Sequence, residues 1–191
     1  GKYVVDVMTN YSPNKTFSEH YSVGSATNYT SQINSAINQG VSFFMYRGYI
    51  GMSSWSPQSS VLDNGYKLFN GTFITCGTLS TSSSNTTNAV NLGTPTYPKG
   101  AVTAIGMFTS GTNTAQNNCS TAGVYYGIFV EDLQSMGEAL VRAKLNQWNT
   151  YRNSYYTPMS NHMHWLTLIG DPSMDVWREI PKNLNVEYPQ S

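Results

Sequence analysis

The sequence has little charge, no long apolar run and only two cysteines. Charged residues make up 10% of its 191 residues, against roughly 25% in an average soluble protein. The ten basic and ten acidic residues cancel, so no positive field exists to collect nucleic acid or anionic lipid. The longest apolar runs are far shorter than the about 20 residues of a membrane-spanning helix. Nucleic-acid binding and a membrane span are therefore not expected.

The few titratable side chains also argue against a metal centre. His162 and His164 lie two residues apart without an evident third ligand, and the carboxylates do not cluster as calcium ligands do. We therefore expect neither a metal nor a cofactor. The two cysteines, Cys76 and Cys119, permit one disulfide or two separate thiols.

In place of charge, the chain is rich in Asn, Ser, Thr, Tyr and Gly. An uncharged polar surface of this kind is commoner in exported proteins, so we expect a secreted or cell-surface protein. The length predicts one domain, over residues 1–180. Residues 181–191, with two prolines, are typical of a linker to a following domain. The abrupt start at Gly1 indicates a piece of a longer chain, whose other domains would be partners.

Apolar runs that end in glycine or polar residues predict five strands separated by helices and loops. We expect strands at Val4–Met8, Val41–Tyr46, 71–78, 101–108 and Trp165–Ile169. Helices are expected at 31–40, stopped by Gly40, and from Tyr125 to Tyr151, where two helices would meet at Gly137. Residues 79–100 and 110–120 are polar and predict surface loops. Continuous apolar strands alternating with helices favour a mostly parallel sheet covered on both faces.

Parallel strands with right-handed crossovers end along one edge of the sheet, where sites form in open α/β folds. The predicted strand ends there are Gly48–Tyr49, Cys76–Gly77 and Phe108–Ser110. The sequence thus brings a tyrosine and a cysteine to the same edge. Cys76 is either a nucleophile, which needs a base or positive field and oxyanion donors, or a buried small apolar side chain.

The other titratable candidates are expected to lie elsewhere. His162 and His164 precede the last strand, and a parallel strand starts at the opposite edge, far from Cys76. His20 lies in a long polar segment that can reach many places. Asp171, before Pro172, is predicted to form a turn.

Five segments in order resemble the catalytic domain of gingipain-type cysteine peptidases. YRGYIGMSSW is similar to the family's glycine–histidine–glycine turn, and FITCGT to the strand that ends in its nucleophile. GAVTAIG, MGEALVRAK and LIGDPSM match a later strand, a helix and the closing segment. The resemblance implies a caspase-like three-layer α/β sandwich with a mostly parallel sheet and helices on both faces.

The resemblance also implies roles for individual residues. Cys76 corresponds to the nucleophile that attacks the carbonyl of a peptide or protein substrate, and the Gly48 backbone to part of the oxyanion site. Tyr49 stands where the family has its catalytic histidine. Thr109, Ser110 and Cys119 lie in the segment that forms a wall of the substrate pocket in related enzymes. The resemblance also implies export, because many relatives are bacterial proteins exported through a dedicated secretion route.

Tyr49 leaves two functions open. A phenol with a pKa near 10 is protonated at neutral pH and cannot readily take a thiol proton. The chain is therefore either a cysteine endopeptidase, with activity reduced or lost by this replacement, or a non-catalytic relative that serves as a binding or structural module. A redox pair of Cys76 and Cys119 is a third alternative, which a disulfide would favour.

Overall fold

The computed structural model describes residues 1–21, 28–48, 50–53, 55–80 and 84–178. Tyr49 and the predicted linker at 181–191 lie outside the described residues. The helices are α1 (Lys2–Tyr11), α2 (Thr30–Gln39), α3 (Asn85–Val90), α4 (Thr114–Phe129), α5 (Met136–Tyr151) and α6 (Tyr156–Trp165). The strands are β1 (Phe43–Met45), β2 (Phe69–Phe73), β3 (Ala101–Met107) and β4 (Leu166–Gly170).

The four described strands form one sheet in the order β1-β2-β3-β4. β1, β2 and β3 are parallel, whereas β4 runs antiparallel to β3. Every residue of β2 is buried, as is nearly all of β3, because helices cover both faces of the sheet. The predicted α/β class and mostly parallel sheet are confirmed.

Two apolar clusters lie on opposite faces of the sheet. On one face, α1, α4 and α5 contribute buried side chains such as Val7, Ile128 and Ala143. On the other face, α2 and α3 contribute Ile37 and Ala89, which pack with the aromatic residues of β2. The result is the predicted three-layer sandwich, with the central strands sealed from water.

The N-terminal strand prediction is wrong, because Val4–Met8 lies within helix α1. Val4 and Val7 are buried, and Met8 packs beside them against the core. These positions are three and four residues apart, which places them on one helical face. A run of five apolar-rich residues is too short to separate a strand from a helix by its pattern.

The two predicted loops each contain a helix. In the first, Ser84 caps α3 by accepting a hydrogen bond from the Thr87 backbone nitrogen at 3.2 Å. In the second, Asn113 accepts one from the Ala115 backbone nitrogen at 2.8 Å, and α4 begins at Thr114. Both segments are rich in Ser, Thr and Asn, which are favourable caps but weak formers of helix interiors.

The stretch from Tyr125 to Tyr151, predicted as two helices that meet at Gly137, contains the end of α4 and all of α5. The division lies at 130–135, before Gly137. Ser135 and Glu138 form a capping box at the start of α5, and this satisfies the first backbone N–H groups of the new helix. Gly137 lies inside α5, where an added Cβ would come within 2.5 Å of the Pro172 oxygen.

The last strand is present but reversed. Leu166, its first residue, pairs with Met107 at the end of β3. The start of β4 therefore lies at the edge where the parallel strands end, which we call the carboxyl edge. Helix α6, which the sequence did not predict, leads into this strand and brings His162 to the same edge.

Candidate active site

The segment after β2 turns sharply at the carboxyl edge. Gly77 has φ of 63°, a left-handed conformation that glycine adopts without strain. Its backbone nitrogen donates to the Thr109 oxygen at 2.7 Å, and the Leu79 nitrogen donates to the Met107 oxygen at 3.0 Å. These bonds fasten the turn that carries Cys76 to the end of β3.

Thr78 is the internal support of this turn. Its hydroxyl is fully buried, donates to the Phe73 oxygen at 2.6 Å and accepts from the Met107 nitrogen at 3.0 Å. The Thr78 carbonyl in turn accepts from the Thr86 hydroxyl at 2.7 Å. The turn is therefore joined to β2, β3 and α3 at once.

Hydrogen bonds connect the Cys76 turn to the glycine turn after β1. The Thr75 hydroxyl donates to the Gly48 oxygen at 2.9 Å, and the Gly51 nitrogen donates to the Cys76 oxygen at 2.8 Å. The structure thus brings the Gly48 and Cys76 segments together. Tyr49 lies outside the described residues, so its predicted role at the histidine position stays a prediction.

Gly48 is constrained by close packing. A Cβ at this position would lie 2.5 Å from the Tyr46 hydroxyl oxygen, so a side chain here would displace the tyrosine ring. The Gly77 amide, by contrast, already donates to Thr109 and is not available to an oxyanion. The role of the Gly48 backbone as an oxyanion donor stays a prediction.

The thiol of Cys76 is half-buried and is not in a disulfide. Its sulfur lies 2.9 Å from the Thr112 hydroxyl oxygen and 3.5 Å from the Thr112 carbonyl oxygen. A thiol can donate to the carbonyl, while a hydroxyl can donate to the sulfur. Cys76 is therefore not merely packed as an apolar side chain but has polar partners on the β3–α4 segment.

Arg47 places a positive charge near this sulfur. Its Nε donates to Asn118 Oδ1 at 3.1 Å, and its Nη1 donates to the Ile74 oxygen. Burial lowers the pKa of Arg47, while the charge of Cys76 acts in the opposite direction. Within the described ranges, no carboxylate forms an ion pair with Arg47. The charge of the guanidinium is therefore not neutralised by a described carboxylate and can act on the sulfur.

The predicted pocket residues divide into two groups. Thr109 and Ser110 follow β3 and lie beside the Cys76 turn, where a Gly77 Cβ would be 3.7 Å from the Ser110 Cβ. Cys119, expected in a loop, lies within α4, and its sulfur contacts Thr150 and Asn146 of α5. Neither cysteine is in a disulfide, so the structure does not support the redox pair.

The expectation that His162 lies far from Cys76 is wrong. His162 is fully buried, with Nε2 2.9 Å from Asn117 Oδ1. Asn117 Nδ2 donates to the Thr112 hydroxyl oxygen at 2.8 Å, and that hydroxyl contacts the Cys76 sulfur. A continuous chain of side chains therefore connects the buried histidine to the thiol.

The remaining titratable candidates show no described contact with Cys76. His164 is exposed and bonds the Ser160 oxygen at 2.7 Å through Nδ1. His20 bonds the Ser18 hydroxyl and lies against the Tyr29 ring. Asp171 Oδ1 accepts from the Ser173 nitrogen and hydroxyl, which confirms the predicted turn.

Sequence reasoning overlooked Arg47, Thr112 and Asn117. Arg47 carried a usable signal, because it is a cation at the end of an apolar strand and directly before Gly48. Thr112 and Asn117 carried none, since they are two polar residues in a segment that is polar throughout. In the part of the chain that the structure covers, no group of three metal-ligating side chains comes together, and no helix there is long and apolar enough to cross a membrane.

The three-layer α/β sandwich with its mostly parallel sheet, and the thiol turn at the carboxyl edge, agree with the caspase-like architecture. The profile of peptidase family C25 matches residues 2–177, so the chain belongs to this family. The resemblance inferred from the five motifs is confirmed.

Solved gingipain structures have the same fold. The crystal structure of gingipain R (RgpB), an Arg-specific cysteine proteinase, superimposes with a TM-score of 0.79 at 18% identity. The complex of the pro- and mature domains of RgpB from Porphyromonas gingivalis gives 0.76 at 16% identity. Both matches cover 95% of this chain, but only 43% and 44% of the solved chains. No curated protein sequence matches the chain.

Proposed function

We propose that this domain cleaves peptide bonds through Cys76. Membership of peptidase family C25 supports the class of reaction. The observation that carries the proposal is the setting of Cys76 at the carboxyl edge, with a hydroxyl 2.9 Å from its sulfur and the positive charge of Arg47 acting on it. Both groups favour a thiolate, which is the nucleophilic form of cysteine.

The reaction begins with attack of the Cys76 thiolate on the substrate carbonyl carbon. The carbonyl π electrons move to oxygen, and the Gly48 backbone N–H faces the oxyanion. Collapse of this intermediate breaks the C–N bond: the leaving amine takes a proton from water, and a thioester remains on Cys76. Water then hydrolyses the thioester and regenerates the thiol.

Proton transfer is the weak step of this scheme. No histidine in the described ranges contacts the Cys76 sulfur, and the resemblance places Tyr49 at the family's base position. A phenol can donate a proton to the leaving amine but cannot readily accept one from the thiol. We therefore expect the acylation step to lack an efficient base, and turnover to be slow.

The proposed substrate is a peptide or protein that binds along the carboxyl edge. Thr109 and Ser110, beside the Cys76 turn, would line the subsite next to the scissile bond, and Cys119 is the third residue proposed for this wall. These side chains carry no charge, so the wall they form selects by shape and hydrogen bonding rather than by a carboxylate.

The proposed setting is an exported protein of a bacterial surface, in which this domain works beside other domains of its chain. The polar, weakly charged composition supports export. The solved complex of RgpB pro- and mature domains supports a role for neighbouring domains. We propose no cofactor for the reaction.

A second function follows from Tyr49: a non-catalytic module that binds peptides in the same cleft. The observation that favours it is the occupied Gly77 amide, together with the tyrosine that the resemblance places at the base position. Such a module would retain the fold and the substrate wall but would not form a thioester. It shares with the first proposal the position of the peptide and differs in the reactivity of Cys76.

Labelling by a peptide chloromethylketone separates the two functions. If Cys76 is a catalytic nucleophile, the peptide chloromethylketone labels Cys76 far faster than iodoacetamide does at equal concentration. Cys76→Ala should then abolish the labelling. Both cysteines are free thiols, so peptide mapping of the labelled parent chain is the control, and the label should be on Cys76 and not on Cys119. Equal, slow reaction with both reagents would refute the peptidase proposal and support the binding module. Tyr49→His should raise the labelling rate at neutral pH if position 49 is the base position.

A further inference from the structure

His162 is a buried histidine that the proposed reaction does not use. It lies in α6, is 0% exposed, and bonds Asn117 through Nε2. Its Nδ1 has no partner among the described residues. A polar ring in the core that satisfies only one of its two nitrogens is expensive to keep. We therefore look for the role of His162 in Asn117, the side chain that its Nε2 orients.

The tautomer of His162 follows from this unequal bonding. Burial, with a smaller contribution from Arg47, lowers the pKa of His162 to about 4, so the ring is neutral at pH 7 and carries one proton. A proton on Nδ1 would be a buried N–H without an acceptor, which folded proteins tolerate less well than an unpaired acceptor. The proton therefore lies on Nε2, which donates to Asn117 Oδ1 at 2.9 Å.

The orientation of Asn117 then fixes the next bond. With Oδ1 facing His162, Nδ2 faces Thr112, whose hydroxyl oxygen lies 2.8 Å away. An amide nitrogen only donates, so the Thr112 oxygen accepts this bond. The Thr112 hydroxyl proton remains free for the next partner in the chain, the Cys76 sulfur at 2.9 Å.

We propose that His162, Asn117 and Thr112 form a one-way hydrogen-bond relay that directs the Thr112 hydroxyl proton to the Cys76 sulfur and favours its thiolate form. Thr112 touches the reacting sulfur, whereas Asn117 and His162 are positioning residues. A hydrogen bond to the charged form of a group stabilises that form. The relay deepens the proposed function, since it rests on Cys76 being the nucleophile.

Arg47 is the charged group that acts on both ends of the relay. Its charge interacts with Cys76 and also disfavours a second proton on the His162 ring. A doubly protonated ring would place a second charge in the core. Arg47 thereby helps to keep His162 neutral while it favours the thiolate, so the two effects act in the same direction.

The test is the pH dependence of iodoacetamide alkylation of Cys76 in the full chain, with the peptides that carry Cys76 and Cys119 quantified separately by mass spectrometry. Thr112→Val removes the hydroxyl and should raise the pH midpoint of alkylation by about one unit, equivalent to a tenfold lower rate at a pH below the midpoint. Thr112→Ser retains a hydroxyl and should remain close to the parent. An unchanged midpoint in Thr112→Val overturns the relay.

The contribution of His162 is tested by a matched pair. His162→Phe removes the donor to Asn117 and should raise the midpoint, by less than Thr112→Val does, because the amide can then turn. His162→Gln retains an N–H donor and should lie closer to the parent. A parental midpoint in His162→Phe removes His162 from the relay. Near-UV circular dichroism shows whether each variant is folded, and Thr112, which is partly exposed, keeps the test decisive if His162→Phe unfolds.

These measurements use no peptide, so they separate the relay from the peptidase proposal. A shifted midpoint in Thr112→Val with no peptide chloromethylketone labelling of the parent supports the relay and refutes peptidase activity. Rapid peptide labelling with no shift in Thr112→Val supports the peptidase and refutes the relay.

Discussion

Thr78→Val is the substitution for which the structure gives the sharpest stability prediction. Valine has almost the shape of threonine, so the change removes one hydroxyl from a fully buried site. That hydroxyl donates to the Phe73 oxygen at 2.6 Å and accepts from the Met107 nitrogen at 3.0 Å. Its loss leaves a buried backbone N–H, that of Met107, without this acceptor.

The expected loss follows from these two bonds. Each buried hydrogen bond contributes about 0.5–1.5 kcal/mol, and a buried group left unsatisfied costs about 1–3 kcal/mol. We therefore expect Thr78→Val to lower the free energy of unfolding by about 2–4 kcal/mol. Because the turn after β2 also loses its anchor, Cys76 should react faster with iodoacetamide under native conditions.

Urea unfolding followed by far-UV circular dichroism measures this loss, with Thr86→Val as the matched control. Thr86 is equally buried, but among the described residues its hydroxyl makes a single bond, to the Thr78 oxygen at 2.7 Å. That oxygen also accepts from the Thr86 nitrogen at 3.2 Å, so no group is orphaned and the loss should stay near 1 kcal/mol. Equal losses in the two variants would show that the Thr78 hydroxyl is not the anchor of the turn.

Three further predictions concern charge and capping. Arg47→Met should slow iodoacetamide alkylation of Cys76 at neutral pH, because it removes a positive charge that acts on the sulfur; an unchanged rate would contradict that role. Because burial lowers the pKa of His162 to about 4, from about 6.5 in the unfolded chain, its contribution to stability is complete above pH 6.5 and is lost as pH falls toward 4. This loss should reach about 3 kcal/mol in urea titrations and be absent in His162→Phe. Ser135→Ala should lower the free energy of unfolding by about 1 kcal/mol, because it removes the cap on the Glu138 nitrogen. An unchanged melting temperature would contradict the capping box.

The elements that the sequence predicted well have signals that local physics alone determines. Helix α2 ends where Gly40 takes φ of 104°, and the apolar runs of β2 and β3 have the continuous burial of central parallel strands. The Gly48 turn follows the end of β1, and the Cys76 turn follows the end of β2. The carboxyl edge and the segments that meet there were therefore predictable before any coordinates.

Helix α4 was not predictable in the same way, because its buried face is polar. Gln116, Asn117, Ser120 and Thr121 are buried within it, so the first half has no apolar stripe to detect. Its packing depends on close approach instead, since a Cβ at Gly123 would lie 2.8 Å from the Ala143 Cα in α5. A period of small and polar residues indicates a helix only when its partner helix is known.

The prediction of where His162 lies was wrong for a topological reason that bears on function. A parallel last strand would have placed its N-terminal end at the edge remote from Cys76, and nothing in LTLIG distinguishes the two directions. The antiparallel pairing of Leu166 with Met107 brings the end of α6 to the carboxyl edge instead. The reversal of one strand thus makes it possible for a histidine outside the family's base position to act on the thiol through Asn117 and Thr112. It does so as a fixed donor, since a neutral buried ring holds its proton in place and does not exchange it with the substrate.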